Sequence, residues 1–191
     1  LDALYSDRLH PWLAERMVDI RLKTGVERLV EEDGRIHAVE LRNGERLTAQ
    51  HFVLAVPHHR VLDLLPDSLC QQSRIAEIEQ LESAPIASVH LWFDRPITLL
   101  PHAVLVGRLS QWVFNRTSAA QTGPSAASPS SCYYQVVISN ARTLATRPHS
   151  EVVADVVAEL KSIWPWAADA QLQHSRVVVE HHAVFSPLSG S

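Results

Sequence analysis

Histidine is the residue type that could most readily carry chemistry in this sequence, which has 11 histidines among 191 residues. His181 and His182 are adjacent in a stretch that alternates like a strand, so their side chains should point to opposite faces and cannot share one metal ion. His174 precedes His181 by seven residues, which is not a ligand spacing either. We therefore predict no metal site.

No residue is assigned as a catalytic nucleophile, because no G-x-S-x-G motif frames any of the serines. His58 and His59 directly follow the apolar run HFVLAVP, where a turn between a strand and a helix would approach a ligand. One interpretation places them near a phosphate or a substrate. The other gives them a capping or surface role.

The run IASVHLWFD, residues 86–94, is a candidate wall for an apolar binding cavity. An apolar ligand is held by buried area, at about 25 cal/mol per Å², and a sheet face roofed by helices is a suitable wall. The predicted lining combines this strand with one tryptophan of the next hairpin: Val89, Leu91, Trp92, Phe93 and Trp112. Val89, Leu91 and Phe93 share one face of this strand, and His90 and Trp92 lie on the opposite face. The alternative is that these residues only fill the core.

The elements before this strand are predicted to be short strands and turns. Val18, Ile20 and Leu22 alternate with charged residues, and three further strands form an antiparallel meander over 26–30, 36–41 and 46–48. Asn43-Gly44 predicts a type I′ hairpin. Residues 51–57, HFVLAVP, are a short apolar run ending in proline, which is typical of a strand buried on both faces of a parallel sheet.

The rest of the chain predicts a mostly antiparallel sheet of four or five strands, covered by helices on one side. The periodicity predicts an opening helix with a stripe at Leu4, Leu9, Trp12 and Leu13. Three later helices are predicted: one that ends at Leu65, one over 69–81, and one from Arg147-Pro148 to Ile163. Strands are predicted at 86–94, 103–107, 111–115, 132–141 and 172–185. A flexible loop is predicted at 117–131. The fold class is α+β.

Composition describes an ordinary globular chain, with 46% hydrophobic residues, 20% charged residues and a formal charge of −4. Nucleic acid is an unsuitable partner because there is no basic excess. Two cysteines, Cys70 and Cys132, favour a reducing compartment, and we expect the cytoplasm. Peripheral membrane contact stays an alternative, with residues 1–16 as its candidate segment. Because residue 1 is leucine, we expect a segment excised from a longer protein.

Residues 18–57 resemble the second crossover of the dinucleotide-binding domain in FAD-dependent amine oxidases and carotenoid-type desaturases. The resemblance implies that Val26, in the segment GVERL, holds the adenine edge through its backbone N–H and C=O groups. It also implies that Ala55, Val56 and Pro57 pass close to the dinucleotide, in keeping with ligand placement at the carboxyl ends of parallel strands. Taken alone, Val26 is better interpreted as a residue of a plain antiparallel meander, and the surrounding pattern carries the resemblance.

A more specific resemblance covers nearly the whole chain. The segments PIASVHLWFDRPI, QWVFNR and RVVVEHHAVFSPLSG are similar to the squalene-associated branch, the hydroxysqualene dehydroxylases. This implies an oxidoreductase that uses FAD and acts on a long hydrophobic isoprenoid, reducing an allylic alcohol to squalene. His90 is a candidate general acid for the departure of the hydroxyl group. Two alternatives stay open, namely an amine oxidase of the same fold and a non-catalytic module that binds a lipid or a partner.

The chain departs from the family's pattern at its glycines. They stand at positions 25, 34, 44, 107, 123 and 190, so no G-x-G-x-x-G motif is present to cradle a pyrophosphate. We therefore expect an internal fragment of an α/β FAD-binding fold, with residues 1–66 from the FAD-binding domain and 67–191 forming a substrate-binding domain. The isolated chain is expected to bind FAD weakly or not at all and to be inactive.

Overall fold

The structure is a computed structural model that describes residues 4–117 and 131–186. The chain divides into two compact units, residues 1–80 and residues 81–191. The expected assignment of residues 1–66 and 67–191 to two functional domains stays a prediction. Apart from its two end residues, the predicted loop 117–131 lies outside the described residues.

The first unit contains a three-stranded antiparallel meander in the order β1-β2-β3. Its strands are β1 (Val26–Glu32), β2 (Arg35–Leu41) and β3 (Arg46–Thr48), as the sequence predicts. Asp33 and Gly34 both have positive φ, 52° and 77°, so the type I′ turn joins β1 to β2.

The turn between β2 and β3 is of a different type from the one predicted. The N–H of Gly44 donates to the C=O of Leu41 at 2.8 Å. Gly44 has a φ of 84°, whereas Asn43 is not among the residues with positive φ. A type I′ turn needs positive φ at both central residues, and here Gly44 alone has it. The prediction of a type I′ turn at Asn43-Gly44 is therefore wrong.

Two segments predicted as strands are irregular. Residues 18–24 form no strand, and Leu22 is largely exposed. Residues 51–57, the expected buried strand, also lack strand pairing in the described structure, and the Val53 side chain is 92% exposed. A strand forms only where a neighbouring strand pairs with its backbone groups, and the described residues place none beside 51–57.

Short helices complete this unit. A π-helical turn (Tyr5–Leu9) leads into α1 (His10–Ala14), and the later helices are α2 (His58–Leu64), α3 (Asp67–Cys70), α4 (Ser73–Ala76) and a 3₁₀ turn (Glu77–Gln80). The helix predicted over 69–81 is therefore interrupted. The break lies at Gln72, whose extended backbone (ψ 131°) cannot continue a helix. In the opening segment, Leu4 and Trp12 of the predicted stripe are exposed.

The second unit is a five-stranded antiparallel sheet in the order β5-β6-β7-β4-β8. Its strands are β4 (Glu82–Phe93), β5 (His102–Val104), β6 (Trp112–Asn115), β7 (Cys132–Ser139) and β8 (Leu172–Ser186). This confirms the predicted antiparallel sheet. Pro85, expected to end a helix, lies inside β4 at a register shift against β8, and such an irregularity tolerates the missing N–H.

One helix, α5 (His149–Ile163), packs against this sheet and is followed by a 3₁₀ turn (Pro165–Ala167). Val152, Val156 and Leu160 are fully buried in the core that α5 shares with the sheet. This burial offsets the low helix propensity of the valines. None of the described helices is long and apolar enough to cross a membrane.

Candidate ligand-binding face

The two faces of the five-stranded sheet are chemically different. Val89, Leu91 and Phe93 are 0% exposed and belong to the core beneath α5. Because side chains alternate along a strand, His90 and Trp92 lie on the opposite face. The structure therefore favours the alternative interpretation for Val89, Leu91 and Phe93, in which they fill the core.

The opposite face collects aromatic side chains from four neighbouring strands. In the pairing register, Trp92 lies between Tyr133 of β7 and His174 of β8. Trp112 and Phe114 of β6 occupy the same face, since they pair with Val137 and Gln135 of β7. We call this surface the aromatic face, and define it by His90, Trp92, Trp112, Phe114, Tyr133 and His174. It includes both tryptophans predicted from the sequence.

Ring stacking holds the aromatic face in place. The Trp92 and Tyr133 rings are nearly parallel, at 6°, with centroids 4.7 Å apart. His174 packs on the other side of Trp92 at 4.9 Å, and Trp112 stacks on Phe114 at 5.8 Å. Pairs at such distances stabilise each other by about 0.5–1.5 kcal/mol beyond buried area. The face is therefore an ordered platform suited to an apolar ligand.

A line of hydrogen bonds crosses this face. Gln135 Nε2 donates to Ser88 Oγ at 2.8 Å. Ser88 Oγ lies 3.3 Å from His90 Nε2, and His90 Nδ1 lies 2.7 Å from Tyr133 Oη. Ser88, Gln135 and Tyr133 were missed by sequence reasoning. Alternation within CYYQVVIS could have separated Tyr133 from Tyr134, but the partners depend on the register between β4 and β7.

The environment favours the uncharged forms of both ring systems in this line. Burial lowers the pKa of His90, and the positive charge of Arg176 on β8 lowers it further. Burial raises the pKa of Tyr133, and the nearby Arg116 opposes that change without reversing it. At neutral pH the line therefore consists of a neutral imidazole and a protonated phenol.

The residues predicted to contact a dinucleotide lie in the first unit. Val26 is the first residue of β1, an edge strand whose one partner in the described structure is β2. Its partly exposed position leaves room for backbone contacts on the unpaired side. Ala55, Val56 and Pro57 are exposed and lead into α2. Accessible backbone at both places fits the predicted contacts with FAD.

The remaining histidines are spread over separate elements. His58 and His59 are the first residues of α2 and contact each other edge to face at 5.7 Å. His181 and His182 are adjacent and exposed on β8. Within 4–117 and 131–186, no group of three or more His, Cys, Asp or Glu side chains is arranged to hold a metal ion.

An apolar cleft of about 360 Å³ lies elsewhere in the second unit. Its lining is almost entirely hydrophobic: Ile97, Thr98, Leu99, Leu100, Trp164, Pro165 and Trp166. None of the predicted site residues contributes to it. The cleft offers shape and apolar area, whereas the aromatic face adds hydrogen-bonding groups.

Comparisons with known proteins agree with this architecture. Residues 3–190 match the model of one protein family, described as flavin containing amine oxidoreductase. The sequence is 25% identical over 171 residues to 15-cis-phytoene desaturase of Capsicum annuum, covering 89% of this chain but 29% of that protein. The chain thus spans less than a third of the length of this relative.

Solved structures share the fold. An oxidoreductase from Methanosarcina mazei superposes with a TM-score of 0.65 at 16% identity, covering 92% of this chain and 42% of that one. Wild-type putrescine oxidase bound to putrescine gives a TM-score of 0.58 at 16% identity, over 86% of this chain and 36% of the other.

Proposed function

Because this chain belongs to the family of flavin-containing amine oxidoreductases, we propose that the full-length protein is an oxidoreductase acting on a long isoprenoid. Family membership implies FAD as the cofactor of the full-length protein. The observation that carries the substrate class is the aromatic face, a stacked surface with a single line of polar groups. A hydrocarbon chain offers apolar area and few hydrogen-bonding groups, and this surface matches that chemistry.

FAD, when bound, supplies the hydride chemistry, and the protein contributes binding and orientation. Val26 and the segment Ala55–Pro57 are the residues that would hold the dinucleotide. The aromatic face would hold the substrate. No nucleophile is required for such a reaction, which is consistent with the sequence.

Two reactions on an isoprenoid are supported by different observations. The named relatives are phytoene desaturases, which favours removal of two hydrogens from a hydrocarbon. The resemblance to hydroxysqualene dehydroxylases favours reduction of an allylic alcohol, a reaction that the name 15-cis-phytoene desaturase does not describe. In that reaction the C–O bond would break and the hydroxyl group would take a proton and leave as water, and FAD in its reduced form would supply the hydride that replaces it. His90 and Tyr133 are suitably placed to assist such a hydroxyl group.

Oxidation of an amine is the second candidate, because putrescine oxidase shares the fold. The charge at the aromatic face argues against it. Burial lowers the pKa of His90, and the positive charge of Arg176, its register partner on β8, lowers it further. A positive potential that disfavours an imidazolium ion also disfavours a substrate ammonium group.

Substrate assays on the full-length, FAD-loaded protein separate these candidates. Under anaerobic conditions, phytoene should bleach the oxidised flavin if the protein desaturates hydrocarbons. Hydroxysqualene should instead reoxidise the chemically reduced flavin and yield squalene. Bleaching by putrescine alone would contradict the proposal. If the full-length protein binds no flavin, the non-catalytic binding module becomes the better interpretation.

The role of His90 can be tested in the same assay. We expect His90→Gln to lower turnover of the hydroxylated isoprenoid by about tenfold or more, because proton donation to the departing hydroxyl group contributes roughly 10²–10⁴ and His90 orients the Tyr133 hydroxyl that would donate it. Unchanged turnover would remove His90 from the proposed site.

A further inference from the structure

The hydrogen-bond line on the aromatic face has a preferred direction. Gln135 uses an N–H group, so Ser88 Oγ accepts that bond. The hydroxyl hydrogen of Ser88 then needs an acceptor, and among the described residues the acceptor within reach is Nε2 of His90. An imidazole that accepts at Nε2 carries its hydrogen on Nδ1 when neutral. Nδ1 therefore donates to Tyr133 Oη, 2.7 Å away.

This order leaves the phenolic hydrogen of Tyr133 available. In the described part of the chain, His90 is the one hydrogen-bond partner of Tyr133 Oη. Because Oη accepts from His90, its own O–H group can donate to a further oxygen. The phenol stays protonated, since burial raises the pKa of Tyr133. Charged neighbours do not alter this state: Arg116, the one charged group that acts on the pKa of Tyr133, does not reverse the effect of burial.

Stacking fixes where that donor lies. The Tyr133 ring is held against Trp92 at 4.7 Å, and His90 and Tyr133 rings lie 5.9 Å apart. The neighbouring Tyr134 points to the other face, into the core. There its hydroxyl group accepts a hydrogen bond from the N–H of Ile97 and donates one to the C=O of Thr98. One tyrosine of the pair is thus structural, and the other presents a donor on the aromatic face.

We propose that the Tyr133 hydroxyl is the ligand-facing hydrogen-bond donor of the aromatic face, and that the face receives an apolar ligand carrying one oxygen acceptor, such as an isoprenoid alcohol. Ser88, His90 and Gln135 act as positioning residues that orient this donor. The inference rests on the proposed function, because it specifies the chemistry of the same substrate site.

The physical reason for oxygen selectivity is the cost of an unpaired donor. A pure hydrocarbon lying on Tyr133 displaces water from the hydroxyl group and offers no acceptor in return. An alcohol replaces the lost water with its own oxygen. A site that donates to a substrate oxygen therefore discriminates against the analogue lacking it, because the analogue leaves the donor unpaired.

The test compares two ligands with one carbon skeleton on the full-length protein with oxidised FAD, so that the alcohol is not reduced. The probes are farnesol and the corresponding hydrocarbon without the hydroxyl group, and the measurement is the dissociation constant by calorimetry. We expect farnesol to bind about tenfold more tightly, and Tyr133→Phe to abolish that preference, because neither ligand then meets a hydrogen-bond donor at this position. Tyr133→Phe keeps the ring that stacks on Trp92.

Two further variants make the result specific. Tyr134→Phe is the matched control, since it removes a neighbouring hydroxyl on the core face and should keep the preference for farnesol. Ser88→Ala removes the group that orients His90 and should reduce the preference partly. If farnesol and the hydrocarbon bind equally in the wild type, or Tyr133→Phe keeps the preference, the inference is wrong and the isoprenoid proposal stands. Binding of neither ligand would contradict both.

Discussion

His90 lies among groups that make its neutral form the stable form in the folded protein. Burial lowers the pKa of this side chain from the reference value of 6.5, and Arg176 adds to the effect. In the unfolded chain the imidazole is solvated and returns to the reference value. Protons therefore bind more strongly to the unfolded chain than to the folded one.

Stability linked to His90 should be present above pH 6.5 and be lost as the pH falls through 6.5 towards the lowered value in the folded state. We expect the free energy of unfolding of the wild type to decrease more steeply between pH 7 and pH 5 than that of His90→Gln. Urea unfolding at several pH values measures the difference. Parallel pH profiles for the two proteins would show that burial does not bias the His90 titration.

Tyr134 is the second residue with a definite energetic role. Its side chain is 0% exposed. Its hydroxyl accepts from the N–H of Ile97 at 3.2 Å and donates to the C=O of Thr98 at 3.0 Å. These bonds satisfy backbone groups of the segment that follows β4.

We expect Tyr134→Phe to destabilise the protein by about 1–3 kcal/mol, because a buried N–H and a buried C=O lose their partner. The matched substitution Tyr133→Phe removes a hydroxyl from the partly exposed face and should cost less. Denaturant unfolding of both variants gives the comparison. Equal destabilisation would contradict the assignment of the two tyrosines to different faces.

At the scale of elements, α5 is the helix whose formation depends most on packing. Four of its residues are valines, which restrict side-chain rotamers in a helix. The carboxylate of Glu159 also ties α5 to the segment before β6, accepting the N–H groups of Leu109 at 3.1 Å and Ser110 at 2.7 Å. Burial would raise the pKa of Glu159, but its contacts with Ser110 and Leu109 outweigh burial and lower it.

A pair of adjacent valines tests this dependence. Val156 is fully buried and Val157 is partly buried. We expect Val156→Ala to cost about 2 kcal/mol, since the lost methyl groups leave a cavity. Val157→Ala should destabilise the protein clearly less, because Val157 is only partly buried. Both variants gain the same helix propensity, so the difference between them reports burial. Thermal and urea unfolding measure the two values, and a larger loss for Val157→Ala would show that the buried face is assigned incorrectly.

Most elements predicted from local periodicity are present, and the predicted strands that are absent are segments without a pairing neighbour in the described structure. The alternation in IASVHLWFD and the valine spacing of α5 correctly indicated a strand and a helix. HFVLAVP has an equally strong apolar pattern but forms no strand in the described structure. Whether such a run becomes a strand depends on which neighbours pair with it, and composition does not contain that information.

At the scale of the whole molecule, the family and the glycine positions bear on the cofactor. The full-length protein uses FAD, as family membership implies. This chain has six glycines and none of them forms G-x-G-x-x-G, the turn that holds a pyrophosphate at a helix N-terminus. Val26 and residues 55–57 would supply only backbone contacts.

We therefore expect the isolated 191-residue chain to purify without the visible absorbance of an oxidised flavin. When FAD is titrated with the isolated chain, its fluorescence should stay that of the free cofactor. The full-length protein, purified in the same way, is the positive control. Co-purification of FAD with the isolated chain would contradict this expectation and would locate more of the binding site within residues 1–191.

The meander, the antiparallel character of the later sheet and the helix that covers it were predictable from the amino-acid sequence alone. These follow from local features, because alternation, turn residues and helical spacing are properties of neighbouring positions. The line from Gln135 through Ser88 and His90 to Tyr133 was decided only by tertiary structure. Its members meet because β4 and β7 pair in one register, and a shift by one residue would have placed Gln135 and Tyr133 of β7 on the opposite face from Ser88 and His90 of β4.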